Sequence, residues 1–319
     1  MRKLAVLIAF LALPLHAAGY HVVRHMTVGG EGGWDYLVVD EDLRRLFVSH
    51  GTTVEVINLA SGKVGGTIDN LDGVHGIALA SDQRRGYISN GRAGTVTVFD
   101  SLTLKRLADW KATGENPDAI LYDRPSGRVF TFNGRGKNIT VFGARSGEVL
   151  ATIPLEAKPE FAVSAGDGII YVNLEDTSEI AEIDGKNAKV LRRWPLAPCE
   201  EPTGLAFDEK NDRLFSVCHN KLMAISDAKA GKVITTVPIG GGVDGVVFDG
   251  SKRVAISSNG ADGTITVVEA VSPDTYRVRE TVETVPRART IALDGRSHHV
   301  FLPARASNDA TFEVIEVSP

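Results

Sequence analysis

The sequence predicts an all-β chain of seven like units, on three observations. An apolar segment recurs at near-constant spacing, β-rich runs alternate with Gly, Asn and Asp turns, and one strand-like stretch near the N-terminus belongs to no unit of its own. The recurring segment occupies 34–40, 74–80, 117–123, 159–165, 202–208, 243–249 and 288–294, a period of about 42 residues.

Each unit reads as four strands. The first is a nearly continuous apolar run (YLVV, GIAL, AILY, GLAF, GVVF, TIAL), the pattern of a strand buried on both faces. A turn leads to a second run such as RRLFVSH or GRVFTFN, then a third such as TVEVINL or NITVFGA. The fourth, as in KVLRRWPL, carries Lys, Arg and Glu, which suits an outer edge that must not pair with another sheet. A buried-to-polar gradient repeated seven times predicts a seven-bladed β-propeller of four-stranded blades.

The ends complete the count. The last unit reaches only its third strand, TFEVIEV, whereas residues 21–30, HVVRHMTVGG, resemble a fourth strand with its exit loop, as in VITTVPIGGG. The N-terminal strand is therefore expected to complete the last blade, so that residues 20–319 form one domain.

The segments RLFVSHGTTVEVINLASGKVGGTI and RVFTFNGRGKNITVFGARSGEVLATIPL resemble the YVTN-repeat, YncE-like family of exported β-propellers, and the likeness runs through the chain after its first residues. The resemblance implies a propeller that binds a partner or ligand outside the cytoplasm. Some members of that family are described as DNA-binding. A formal net charge of −5 argues against nucleic acid here, because such footprints are basic.

Arg2 and Lys3 precede an apolar run from Leu4 to Leu15 and the small residues Ala17, Ala18 and Gly19. That order is a secretory signal peptide over residues 1–19, with cleavage near Ala18 or Gly19 and a periplasmic or secreted product. The run is shorter than the roughly 20 residues a spanning helix needs, so no membrane span is expected. CxxC, HExxH, GxSxG and GxxxxGK[ST] spacings are all missing from the sequence, which removes the enzyme classes with strong local signatures. Cys199 and Cys218 fall at adjacent ends of one predicted strand pair, and in an exported protein they are expected to form a disulfide.

Chemistry is expected where the first strands enter the central channel. Five positions before the end of each first strand lie Asp35, His75, Asp118, Glu160, Thr203, Asp244 and Arg289, all polar. Such residues can be merely solvated entry positions. Converging on one axis, four carboxylates would instead raise one another's pKa values or recruit a cation, with Asp35, Asp118, Glu160 and Asp244 as its ligands. A second tier in the overhanging loops comprises His50, Asn90, Asn133, Glu175, His219 and Arg305, with Asn173 and Asn259 nearby; Asn90 and Asn133, each followed by Gly, suit turn geometry. An oxygen-only set would suit a divalent cation such as Ca²⁺, and added histidines a transition metal.

Two functions follow as expectations. The first is a non-catalytic exported binding protein that takes a small molecule, ion or protein at an acidic channel mouth. The alternative is a metal-dependent hydrolase or lyase, such as a lactonase, with His75, Glu160 and Arg289 as candidate catalytic residues.

Overall fold

The computed structural model describes residues 19–30, 32–305 and 311–319, so the expected signal segment lies, but for Gly19, outside the described residues. Seven four-stranded antiparallel sheets follow one another around an axis. Blade one is built from Trp34–Asp40, Arg45–His50, Thr53–Asn58 and Lys63–Ile68, in that order from axis to rim. Blades two to six repeat the plan, with inner strands Val74–Ala80, Pro117–Asp123, Pro159–Ser164, Pro202–Asp208 and Val243–Asp249. The fourth strand comes last chiefly because it is polar: Arg106–Lys111 is exposed along nearly its whole length.

Blade seven is closed as expected. His21–Thr27 pairs antiparallel with Phe312–Ser318, from His21 opposite Ser318 to Thr27 opposite Glu313. Pairing removes two free edges. Arg24 fixes the strand further, donating to Glu316 at 2.6 Å and to the Leu59 carbonyl of blade one at 2.6 Å.

The inner strand of blade seven differs from expectation. Only Ala292–Leu293 is laddered, and the preceding residues bond sideways to neighbouring blades. The Thr290 hydroxyl donates to the Asp35 carbonyl at 2.6 Å, and the Arg289 carbonyl accepts from the Asp244 amide at 3.2 Å.

The core lies between blades. Phe47, Val54 and Phe99 join Ile77 and Ile88 across blades one and two; Phe130, Phe132, Ile170 and Val172 join blades three and four. Each blade thus buries one face against the next, which makes the ring the unit of stability.

The Asp that ends most inner strands is structural. Asp40 accepts from the Leu43 amide at 3.1 Å, Asp123 from Ser126 at 3.0 Å and Asp249 from Ser251 at 3.0 Å, each closing the turn that follows. Asp294 does this and also pairs with Arg44 of blade one at 2.6 Å. Burial would raise the Asp294 pKa, but the Arg44 guanidinium and the Ser297 hydroxyl hold it at about 2.

Candidate functional site

A shared backbone device places the predicted ring. In each of the first six inner strands the ladder register shifts near the ring position: between Trp34 and Leu37, Val74 and Ile77, Pro117 and Ile120, Pro159 and Ala162, Pro202 and Leu205, and Val243 and Gly245. Bulges re-aim side chains, and the ring residues of these six strands fall within the irregularities. Serines of the second strands take over the freed backbone groups. Ser49 accepts from the Asp35 amide at 2.9 Å and Ser89 from the Gly76 amide at 2.8 Å.

Five ring residues meet through direct or short charge contacts, and the sixth, Glu160, stands apart with Lys158. Asp35 Oδ2 lies 2.6 Å from His75 Nδ1, and Asp118 Oδ1 lies 3.5 Å from the same nitrogen. Ligand atoms of Asp35, His75 and Asp118 all fall within 4.8 Å of one another, a spacing that can hold a metal ion. Arg289 bridges onward, at 3.4 Å from Asp35 and 3.0 Å from Asp244. On the other side, Lys158 pairs with Glu160 at 2.5 Å and also with Glu175.

Burial and mutual charge set the protonation states. Burial alone would lower the His75 pKa, yet its hydrogen bond to Asp35 and the charges of Asp118 and Asp35 raise it. Desolvation pushes Asp118 up to about 6 against the opposing pull of His75, and Asp244 up to about 7 against Arg289. Glu160 and Glu175 both face the Lys158 ammonium. Burial, with the neighbouring Glu175 carboxyl, raises Glu160 to about 9, whereas Glu175 is lowered despite burial by Glu160 and Lys158.

Thr203 is elsewhere. Its hydroxyl is buried and donates to the Val243 carbonyl of the next blade at 3.1 Å, stapling neighbouring inner strands. Among the second-tier residues, Asn90 donates to Thr97 at 2.9 Å and Asn133 to Thr140 at 2.9 Å, so both close turns inside their own blades. His50 is buried and stacks on Phe312 at 4.2 Å, in the seam between blades one and seven, where burial lowers its pKa. His219 is exposed and pairs with Glu201 at 3.1 Å. Cys199 and Cys218 lie with Cα atoms 5.7 Å apart, within disulfide range.

Lys158 and Tyr36 are the members that sequence reasoning missed. Moving the ring register two residues upstream lands on Asn116, Lys158, Glu201 and Arg287, so the cation beside Glu160 had a signal. Tyr36 reads as core in sequence. In the structure its buried phenol lies under the ring, and burial together with the charges of Asp118, Asp35, Asp244 and Glu160 raises its pKa well above 10.

Known proteins share the architecture. The chain is similar to a structure of U3-55K (TM-score 0.80, 10% identity, covering 94% of this chain and 100% of that one). It is similar to a chain in the crystal structure of the Mitotic Checkpoint Complex (TM-score 0.80, 15% identity, 100% and 99% covered) and to the RRP9 WD40 repeats (TM-score 0.78, 10% identity, 94% and 97% covered). No protein-family model and no curated protein matches the chain. Fold and neighbours define a seven-bladed β-propeller. Among the described residues, no helix is long and apolar enough to cross a membrane.

Proposed function

We propose that this chain is an exported, non-catalytic binding propeller of the YVTN-repeat, YncE-like kind, with residues 20–319 as one domain and a divalent cation bound at the channel mouth. The observation that carries the reading is the grouping of Asp35, His75 and Asp118 within 4.8 Å. Two carboxylates and one imidazole form a mixed donor set, which suits a transition ion better than Ca²⁺. Glu160 is engaged by Lys158, and Asp244 by Arg289, so these two carboxylates serve the ring's charge balance rather than the ion. Arg289 stands beside the cluster as an anchor for an anionic group of a bound small molecule or protein. The residue order at 1–19 and the closeness of Cys199 and Cys218 support export. A role in holding a protein partner has the precedent of the similar chain within the Mitotic Checkpoint Complex. Calorimetric titration with Zn²⁺, Mn²⁺ and Ca²⁺ tests the proposal: a transition ion should bind the protein and fail to bind Asp35→Asn/Asp118→Asn.

A hydrolase or lyase, of the lactonase type, is the second reading. It is favoured by one feature: His75 is oriented by Asp35 at 2.6 Å, as a general base would be, while Glu160 holds a proton near neutrality. A lactone and ester hydrolysis screen, with His75→Gln as control, decides between the two.

A further inference from the structure

Beyond the acidic mouth, the channel continues into a second chamber of different chemistry. Tyr36 packs on Phe161 with ring centroids 5.2 Å apart, and the inner strands close in around this pair. A Cβ at Gly76 would lie 3.0 Å from the Asp118 carbonyl, and one at Gly204 only 2.8 Å from the Gly245 Cα, so glycine permits the narrow waist. Past it lies a cavity of about 510 Å³, bounded by the later residues of the inner strands of blades one to five. Small-molecule sites commonly fall in the range of about 300–1,000 Å³.

The lining is apolar and half-wet. Val38, Leu79, Leu121, Phe161 and Phe207 are only partly buried, although their strands read in sequence as buried on both faces. One charged side chain lines the cavity, Glu209, and among the described residues its carboxylate has no ion-pair or hydrogen-bond partner. The chamber therefore combines aromatic walls with one carboxylate, that of Glu209.

We infer that this chamber is a second binding site, for a cationic amphiphile: an amine whose aromatic or alkyl body fills the space between Tyr36, Leu121, Phe161 and Phe207 and whose ammonium faces Glu209. Apolar burial supplies the affinity, and the carboxylate with the aromatic faces supplies selectivity for positive charge. Anionic analogues of the same shape meet like charge at Glu209.

The test is calorimetry on the intact protein with three probes of one shape: 1-naphthylmethylamine, 1-naphthylmethanol and 1-naphthylacetate. The amine should bind about fivefold more tightly than the alcohol, and the carboxylate most weakly. Glu209→Gln should reduce the amine to the level of the alcohol. Val38→Trp, which fills the chamber, should abolish binding of both; Leu79→Trp fills it from the next blade should the first variant not fold. Asp35→Asn/Asp118→Asn should leave amine affinity unchanged, separating this site from the mouth. Equal affinity for amine and carboxylate, indifference to Glu209→Gln, or loss of amine binding only in the Asp35/Asp118 variant each overturns the inference.

Discussion

His75 Nδ1 lies 2.6 Å from Asp35 Oδ2, although the residues are 40 apart in sequence, one repeat length. Equivalent positions of successive blades thus become neighbours, and a charge pattern spread along the chain becomes one cluster. Asp118, the next equivalent, lies 3.5 Å from the same nitrogen. A metal ion entering this cluster must displace the proton that joins His75 to its two carboxylates.

Metal affinity should consequently rise with pH. Since the His75 pKa is raised above 6.5 and that of Asp118 to about 6, apparent affinity should climb between about pH 5 and 8 and then level. Zn²⁺ titrations at pH 5.5, 6.5 and 8.0 check this, and a flat profile would place the ion elsewhere.

The mouth should make the ion-free fold less stable as pH rises. Raised pKa values mean that the folded state holds protons more tightly than the unfolded chain, so stability is full below the unfolded value near 4 and falls as pH passes the folded value. For Asp244 that window ends at about 7. Asp244→Asn should flatten the decline in melting temperature between pH 5 and 8, as measured by circular dichroism.

Asp294 should act in the opposite sense. With its pKa held at about 2, its stabilisation is full above the unfolded value near 4 and is lost as pH falls through 2. Asp294→Asn should cost about 2 kcal/mol at pH 7 and much less at pH 2, by urea denaturation. Equal costs at both pH values would remove Arg44 as the cause.

Ring closure should depend on the N-terminal strand. Deleting residues 20–30 exposes the edge of Phe312–Ser318 and removes the Arg24 contacts to Glu316 and Leu59. Aggregation or a broadened, non-cooperative melt is expected in light scattering and calorimetry. An unchanged melt rules out this account.

Cys199 and Cys218 should be bonded in the protein recovered from an oxidising compartment. Labelling without reductant should find no free thiol, and Cys199→Ser/Cys218→Ser should lose about 3 kcal/mol for a loop of this length. Two labelled thiols in the unreduced protein would contradict the pairing.

By itself the sequence determined the architecture and the height of the ring. Blade number, inner-to-outer order and N-terminal closure were legible because each depends on local apolar pattern repeated at a constant period, and repetition turns a weak local signal into a strong one. The same register picked out Asp35, His75, Asp118, Asp244 and Arg289, which contact one another, and Glu160, which does not join them. Only the tertiary structure decided how that ring is partitioned. Lys158 claims Glu160, Arg289 ties Asp35 to Asp244, Thr203 turns to a backbone carbonyl, and His50 is taken into the blade-seven seam. Those outcomes rest on distances between strands far apart in the chain and on how much water each carboxylate keeps. Neither quantity is written in a local pattern.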